Sequence, residues 1–123
     1  PAALGSAINK DNVDTLNCKV VIEAANGPVT PVAAETLWEK HIPIIPDILT
    51  NAGGVTVSYF EWVQNLQQFK WELEEVDTKL ETKMVKAFNE VYNVKVEKNV
   101  PMRIASFMVA IDRVSRSYTL RGV

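Results

Sequence analysis

The segment PDILTNAGGVTVSYFEW (residues 46–62) is the most informative part of the sequence, because it joins a short apolar run to a long helical pattern through a turn. The extended run ends at Asp47, and the pair Gly53-Gly54 is predicted to open an amphipathic helix. Glycines have no Cβ atom and let a ligand approach the backbone closely, and the first N–H groups of a helix lack partners within it. This junction is therefore the first candidate binding site.

Two polar side chains and one apolar side chain share one face near the predicted helix start. Asn51, Val55 and Ser58 follow the spacing i, i+4 and i+7, which places an amide, a methyl surface and a hydroxyl together. A structural interpretation stands beside this one. Asparagine is a preferred N-cap, and helical serines often bond to the carbonyl one turn back. The local pattern leaves both interpretations open.

The first half of the chain alternates between strands and helices. Residues 18–24 predict a buried strand that contains the single cysteine, read as structural, and residues 42–45 predict a second, short strand. Between them, Thr30 and Pro31 are a good N-cap and first helical residue for a helix to about residue 40. Residues 9–16 predict a short helix or turn. The alternation predicts an α/β layer with a parallel sheet.

Ligands of open α/β sheets bind outside the carboxyl ends of the strands. Asn26 follows the first predicted strand and Asn51 follows the second, so we expect the two to converge on one rim. Asn26-Gly27 is also an ordinary turn pair, which is the structural alternative for Asn26.

The second half of the chain predicts three long helices. The first carries an aromatic and apolar stripe that we interpret as core; the second spans about residues 72–95, and the third runs from about residue 101 to near Gly122. The connector at residues 97–100 is short, which predicts an antiparallel helix pair without a long insertion. The stripe consists of Tyr59, Trp62, Val63, Leu66 and Phe69.

Composition excludes several classes of function. The chain of 123 residues has a net charge of −2, which gives no basic surface for nucleic acid. The only cysteine and the only histidine, Cys18 and His41, have no partners at metal-ligand spacing, so we expect no metal site. No apolar run approaches the roughly 20 residues that span a bilayer, and no signal peptide is visible. We expect a soluble, intracellular protein, cytoplasmic or mitochondrial, without a membrane partner.

Several segments resemble one enzyme family. NAGGVTVSYFEWVQN at residues 51–65 resembles a signature of the glutamate dehydrogenases, within the Glu/Leu/Phe/Val dehydrogenase superfamily. The segments PAALGSAIN at the start, VVIEAANGPVTP at residues 20–31 and MRIASFMVAIDRVSRSYTLRG at residues 102–122 carry the same resemblance. It covers essentially the whole chain.

The resemblance implies that this chain is part of a longer enzyme. Members of the family are several times longer, and residues 1–123 resemble the C-terminal part of their NAD(P)-binding domain. About residues 1–50 would form the strand and helix alternation and about residues 53–121 the three helices. The substrate domain and the first βαβ unit would lie elsewhere, in agreement with the absence of a G-x-G-x-x-G turn from the sequence. The expected fold is thus a partial Rossmann-like parallel sheet followed by long C-terminal helices.

The same resemblance implies roles for individual residues. Asn26 and the backbone at Ala2 and Ala3 would face the nicotinamide ribose, and Asn51 would lie close to the nicotinamide and the substrate. Val55 would shape the substrate pocket and Ser58 would bond the side-chain carboxylate. The family's catalytic lysine and aspartate lie outside this chain, so we expect the chain to be inactive alone.

The implied reaction interconverts glutamate with 2-oxoglutarate and ammonia, using NAD or NADP, in an assembly that is a homo-hexamer by resemblance. Two alternatives remain at this point. The chain could be a non-catalytic scaffold or interaction module, or belong to a dehydrogenase for an apolar amino acid. Ser58 argues against the second, because a buried carboxylate needs a hydrogen-bond partner.

Overall fold

A computed structural model describes residues 4–122 of the chain. Ala2 and Ala3, two of the expected cofactor contacts, lie outside the described residues. The strands are β1 (Val21–Ile22) and β2 (Ile44–Ile45), and a single 3-10 turn (Val13–Thr15) precedes them. The helices are α1 (Pro31–Glu39), α2 (Asp47–Thr50), α3 (Ala52–Gln67), α4 (Leu73–Lys98) and α5 (Met102–Arg121).

The two strands form a parallel pair connected by α1. Val21 lies opposite Ile44 and Ile22 opposite Ile45, and the amide of Val21 donates to the carbonyl of Pro43 at 2.9 Å. The predicted class, α/β with parallel strands followed by long helices, is confirmed.

The first strand differs from its prediction in length and burial. It spans two residues rather than the predicted 18–24, and Ile22 is 61% exposed while Cys18 is exposed as well. Within residues 4–122, β1 hydrogen-bonds only to β2, and proline residues at 43 and 46 bracket β2 and limit the ladder. The predicted buried strand at residues 18–24 is therefore wrong in length and burial, and the expected burial of Cys18 is wrong as well.

Helix α1 forms as its sequence predicts. The hydroxyl oxygen of Thr30 accepts a hydrogen bond from the amide of Ala33, and Pro31 occupies the first helical position, where no N–H is needed. Ala33 and Leu37, one turn apart, are fully buried against the first strand and the 3-10 turn. The first core consists of Val13, Val21, Val29, Ala33 and Leu37.

The junction between β2 and the long helix contains a short helix that the sequence pattern does not predict. The four-residue helix α2 begins at Asp47, directly after Pro46, and α3 then begins at Ala52. Asn51 ends α2 and precedes α3, and its amide donates to the carbonyl of Asp47 at 3.0 Å. The turn expected between the strand and the Gly53-Gly54 helix is therefore a four-residue helix, and the start of the long helix is predicted to within one residue.

Helices α4 and α5 confirm the predicted helical hairpin. Asn99 adopts the left-handed conformation at φ 52° and ends α4, and three residues later α5 begins. A second core lies where α4 and α5 meet α2, and it contains Leu49, Val91, Met102 and Ala105. Within residues 4–122, no helix is both long and apolar enough to cross a membrane.

The aromatic stripe of α3 is not core within the described chain. Phe60, which lies outside the predicted stripe, is 3% exposed, and its ring centroid lies 5.6 Å from that of Trp71. Trp62, in contrast, is 58% exposed. Helical periodicity identified a real apolar face, but nothing in residues 4–122 covers it. The exposed members are Tyr59, Trp62, Leu66 and Phe69.

Candidate functional site

Two asparagine side chains meet at the carboxyl ends of the strands. The Nδ2 of Asn51 donates a hydrogen bond to the Oδ1 of Asn26 at 2.7 Å, across 25 residues of sequence. Asn26 is exposed and Asn51 half-buried, so a ligand can reach both. The predicted convergence of these residues on one rim is confirmed.

The role of Asn51 in the fold is not that of a simple cap. Its side chain makes no capping hydrogen bond to α3, although asparagine at this position commonly does so. The bond between the two side chains uses the Nδ2 of Asn51 and the Oδ1 of Asn26. The remaining atoms, the Nδ2 of Asn26 and the Oδ1 of Asn51, make no hydrogen bond to the described part of the chain. The pair therefore presents amide donors and an acceptor toward solvent, in a small cluster suited to a polar ligand.

A charged cluster lies at the same strand ends as this pair, and the sequence pattern does not predict it. Glu23 follows β1, Asp47 follows β2, and Arg103 reaches both from the first turn of α5. One guanidinium nitrogen, Nη1, lies 3.0 Å from the Oδ1 of Asp47, and the other, Nη2, bonds the Oε2 of Glu23. The only local signal was a carboxylate after each apolar run, because Arg103 is 56 and 80 residues away from its partners.

Asp47 connects the two strand ends through its carboxylate. Its Oδ2 accepts from the amide of Gly27 at 2.8 Å, and its Oδ1 accepts from the amide of Ile48 at 2.8 Å. Burial by itself raises the pKa of Asp47, but the Gly27 and Ile48 N–H groups and the charge of Arg103 outweigh it, so the pKa lies below its ordinary value. The lowered pKa keeps Asp47 ionised, and its carboxylate bonds Gly27, the residue after Asn26.

Glu23 is the most deeply buried charged side chain of the cluster. The residue is 1% exposed, and its Oε2 accepts hydrogen bonds from Arg103 and from the amide of Asp47 at 2.9 Å. Its Oε1 is buried and has no partner within the described residues. A buried carboxylate of this kind needs its cation, because an uncompensated charge in the interior is costly.

The left-handed conformation at Gly27 shapes the turn after β1. Its φ is 57°, a region that residues with a Cβ atom rarely adopt, and its amide points to Asp47. The Asn26-Gly27 pair is therefore a structural turn, as one interpretation held, and it also presents Asn26 at the rim.

Val55 and Ser58 lie on α3, beyond the asparagine pair. Val55 is 76% exposed, and the hydroxyl of Ser58 donates to the carbonyl of Gly54 at 3.1 Å. This is the local bond that the structural interpretation predicts. Neither side chain bonds to Asn26 or Asn51, although both share the helix face that begins at Asn51.

The chain is similar in sequence to one family of enzymes. The family model for Glutamate/Leucine/Phenylalanine/Valine dehydrogenase matches residues 1–122. A curated glutamate dehydrogenase from Thermotoga maritima is 53% identical over 123 residues, and an NAD-specific glutamate dehydrogenase from Clostridioides difficile is 53% identical over 122 residues. These matches cover 100% and 99% of this chain but only 30% and 29% of the relatives. The chain thus spans about 30% of the length of the curated relatives it matches.

Solved structures share the same fold. Glutamate dehydrogenase from Peptoniphilus asaccharolyticus superposes with a TM-score of 0.94 at 48% identity, over 99% of this chain and 31% of that one. A hetero-hexameric glutamate dehydrogenase from Thermus thermophilus superposes with a TM-score of 0.91 at 31% identity, over 97% of this chain and 29% of that one. By sequence and by fold together, the chain belongs to the Glutamate/Leucine/Phenylalanine/Valine dehydrogenase family.

Proposed function

We propose that this chain forms part of the NAD(P)-binding domain of a glutamate dehydrogenase, which interconverts glutamate with 2-oxoglutarate and ammonia. The observation that carries the proposal is the asparagine pair at the carboxyl ends of the parallel strands. Ligands of such sheets bind at this edge. The 53% identity to glutamate dehydrogenases supports the choice of reaction.

The asparagine pair suits the polar face of a dinucleotide. Asn26 would face the nicotinamide ribose, whose hydroxyls can both donate and accept, and Asn51 would lie toward the nicotinamide and the substrate. The chain carries no glycine-rich phosphate turn, so it would hold the nicotinamide half of the cofactor and leave the pyrophosphate to another part of the enzyme. The expected backbone contacts at Ala2 and Ala3 belong to the same proposal.

The cofactor would supply the hydride chemistry, and this chain would supply orientation. Holding the reacting centres in place can account for a large part of a rate enhancement. Val55, on the exposed start of α3, would shape the substrate pocket. Ser58 would exchange its bond to the Gly54 carbonyl for one to the side-chain carboxylate of glutamate. No catalytic residue is assigned to this chain, so the chain alone would be inactive.

The relatives support a choice of cofactor and of assembly. NAD is the first cofactor to test, because the C. difficile relative is NAD-specific, and NADP is the alternative. We propose a hexamer, because the T. thermophilus relative is hetero-hexameric and the exposed apolar face of α3 offers a surface for a neighbouring subunit. That the six subunits are identical is part of the proposal and rests on the family resemblance alone. A scaffold without catalysis would show neither activity nor dinucleotide binding in the full-length protein.

The proposal is tested by replacing each asparagine in the full-length enzyme. Asn26→Ala and Asn51→Ala each remove hydrogen bonds worth about 1 to 3 kcal/mol, so we expect kcat/KM for the dinucleotide to fall by roughly 5- to 150-fold. Asn89→Ala is the matched control, because Asn89 is exposed on α4, away from the strand ends.

The kinetics should separate binding from general damage. Steady-state glutamate oxidation is measured at varied dinucleotide and at varied glutamate, with the melting temperature recorded for each variant. Wild-type kcat/KM in both asparagine variants would refute the proposed cofactor site.

A further inference from the structure

Arg103 is the link between the charged cluster and the asparagine pair. We infer that Arg103 is a positioning residue for the proposed dinucleotide site: its guanidinium holds the ends of β1 and β2 at the spacing that presents Asn26 and Asn51 to the ligand. This inference rests on the proposed function.

Hydrogen bonds lead from Arg103 to Asp47, and from Asp47 to the amides of Gly27 and Asn51. Glu23, bonded to one arm of the guanidinium, lies three residues before Asn26. Asp47, bonded to the other arm at 3.0 Å, lies four residues before Asn51, at the start of α2. Asp47 also accepts from the amide of Gly27 at 2.8 Å, which fixes the residue next to Asn26. Each loop is therefore anchored within four residues of its asparagine.

The geometry requires an arginine rather than a positive charge alone. The guanidinium is planar and carries several donors in a fixed fork, so it can serve two carboxylates at once. Lysine keeps the charge but concentrates it at one ammonium on a flexible stem. With lysine, either Glu23 or Asp47 loses its direct bond, so no single side chain bonds the ends of both strands.

A purely structural ion cluster is the competing explanation, because buried charge networks also occur away from functional sites. The two explanations differ in coupling. If Arg103 acts through the asparagines, its effect on dinucleotide binding requires their amides. If it only stabilises the fold, its effect adds to theirs. A double-mutant cycle measures this difference directly.

The experiment uses the full-length enzyme and titration with NADH, followed by the nucleotide's fluorescence. We expect Arg103→Lys to raise the Kd for NADH roughly tenfold, since a small displacement of an orienting group has large effects. Circular dichroism and oligomer size should stay at the wild-type values. Arg116→Lys is the matched control, because Arg116 lies on the same helix in an exposed pair with Asp112 and should leave the Kd unchanged.

For the double-mutant cycle, Arg103→Lys is also introduced into an enzyme that already carries Asn26→Ala and Asn51→Ala. There we expect Arg103→Lys to change the Kd less than about twofold, because the amides it positions are gone. An unchanged Kd in the single variant, or the full tenfold effect in the asparagine-free background, overturns the role of Arg103 while the proposed function stands. An unchanged Kd in the asparagine variant itself overturns the proposed site and the role of Arg103 together.

A second variant keeps the inference testable if Arg103→Lys does not fold. The Oδ2 of Asp47 accepts from the amide of Gly27 and its Oδ1 accepts from Arg103, so Asp47→Asn removes the negative charge and replaces one of these two acceptors with an NH2 group. The loop that carries Asn26 is affected through Gly27. The same criteria apply: a weaker NADH complex that depends on the asparagines supports the inference, and an unchanged or additive effect overturns it.

Discussion

Gly54 is the position where stability and function are expected to diverge. Apart from the neighbouring backbone of its own helix, no atom of residues 4–122 lies within 4 Å of a Cβ atom built on Gly54, and its backbone does not lie in the left-handed region. Gly54 is the third residue of α3, where glycine is a poor helix former. Gly54→Ala should therefore stabilise the fold by about 0.5 to 1 kcal/mol.

The effect on function should have the opposite sign. Gly54 lies three residues after Asn51 and four before Ser58, so an added methyl lies on the helix face proposed for the ligand. If glutamate approaches this backbone closely, the methyl obstructs it. We expect kcat/KM for glutamate to fall about tenfold, equivalent to about 1.4 kcal/mol of transition-state binding.

Gly53→Ala is the matched control for this prediction. Its Cβ atom meets Leu80 Cδ1 at 3.8 Å and Met84 Sδ at 3.9 Å, which are ordinary contacts between α3 and α4. The control gains the same helix propensity, but its methyl packs against α4. We expect a raised melting temperature and a kcat/KM within about twofold of the wild type.

The assay combines thermal melting with steady-state glutamate oxidation by the full-length enzyme. A Gly54→Ala enzyme that melts higher and keeps its wild-type kcat/KM would show that no ligand approaches the backbone there. A lower melting temperature would refute the stability argument.

Two further predictions concern single side chains. Ser58→Ala should lower kcat/KM for glutamate by an amount equivalent to about 1 to 3 kcal/mol of transition-state binding. Ser117→Ala is the control and should have no effect, because it removes a similar bond to a carbonyl one turn back on α5. Equal kinetics in both variants would show that Ser58 is not part of the substrate site. Because the pKa of Asp47 is lower in the folded than in the unfolded state, its stabilisation is present above the unfolded pKa of about 4 and is lost as the pH falls through the folded pKa. Asp47→Asn should therefore lower the melting temperature at pH 7 and differ progressively less from the wild type below about pH 4. A difference in melting temperature that does not depend on pH would contradict the lowered pKa of Asp47.

The elements with strong local signals were predictable from sequence. Thr30 and Pro31 mark the start of α1, and the left-handed residue Asn99 separates two long periodic segments that became α4 and α5. The meeting of Asn26 and Asn51 followed from a topological rule, since parallel strands end at the same edge. These features depend on neighbours in sequence or on the order of elements.

Other features depend on contacts that a local pattern does not contain. Helix α2 has four residues, which is too short to show a period. The bonds of Arg103 cross 56 and 80 residues, so nothing near Glu23 or Asp47 indicates their cation. The stripe on α3 was recognised as apolar, but periodicity says only that a face is suited to burial and not what covers it.

A structure of the full-length enzyme with bound dinucleotide and glutamate would show whether the asparagine pair forms the nicotinamide side of the cofactor site. We expect side-chain atoms of Asn26 and Asn51 within about 3.2 Å of polar ligand atoms. A nicotinamide bound elsewhere, with the two asparagines still bonded only to each other, would contradict this expectation.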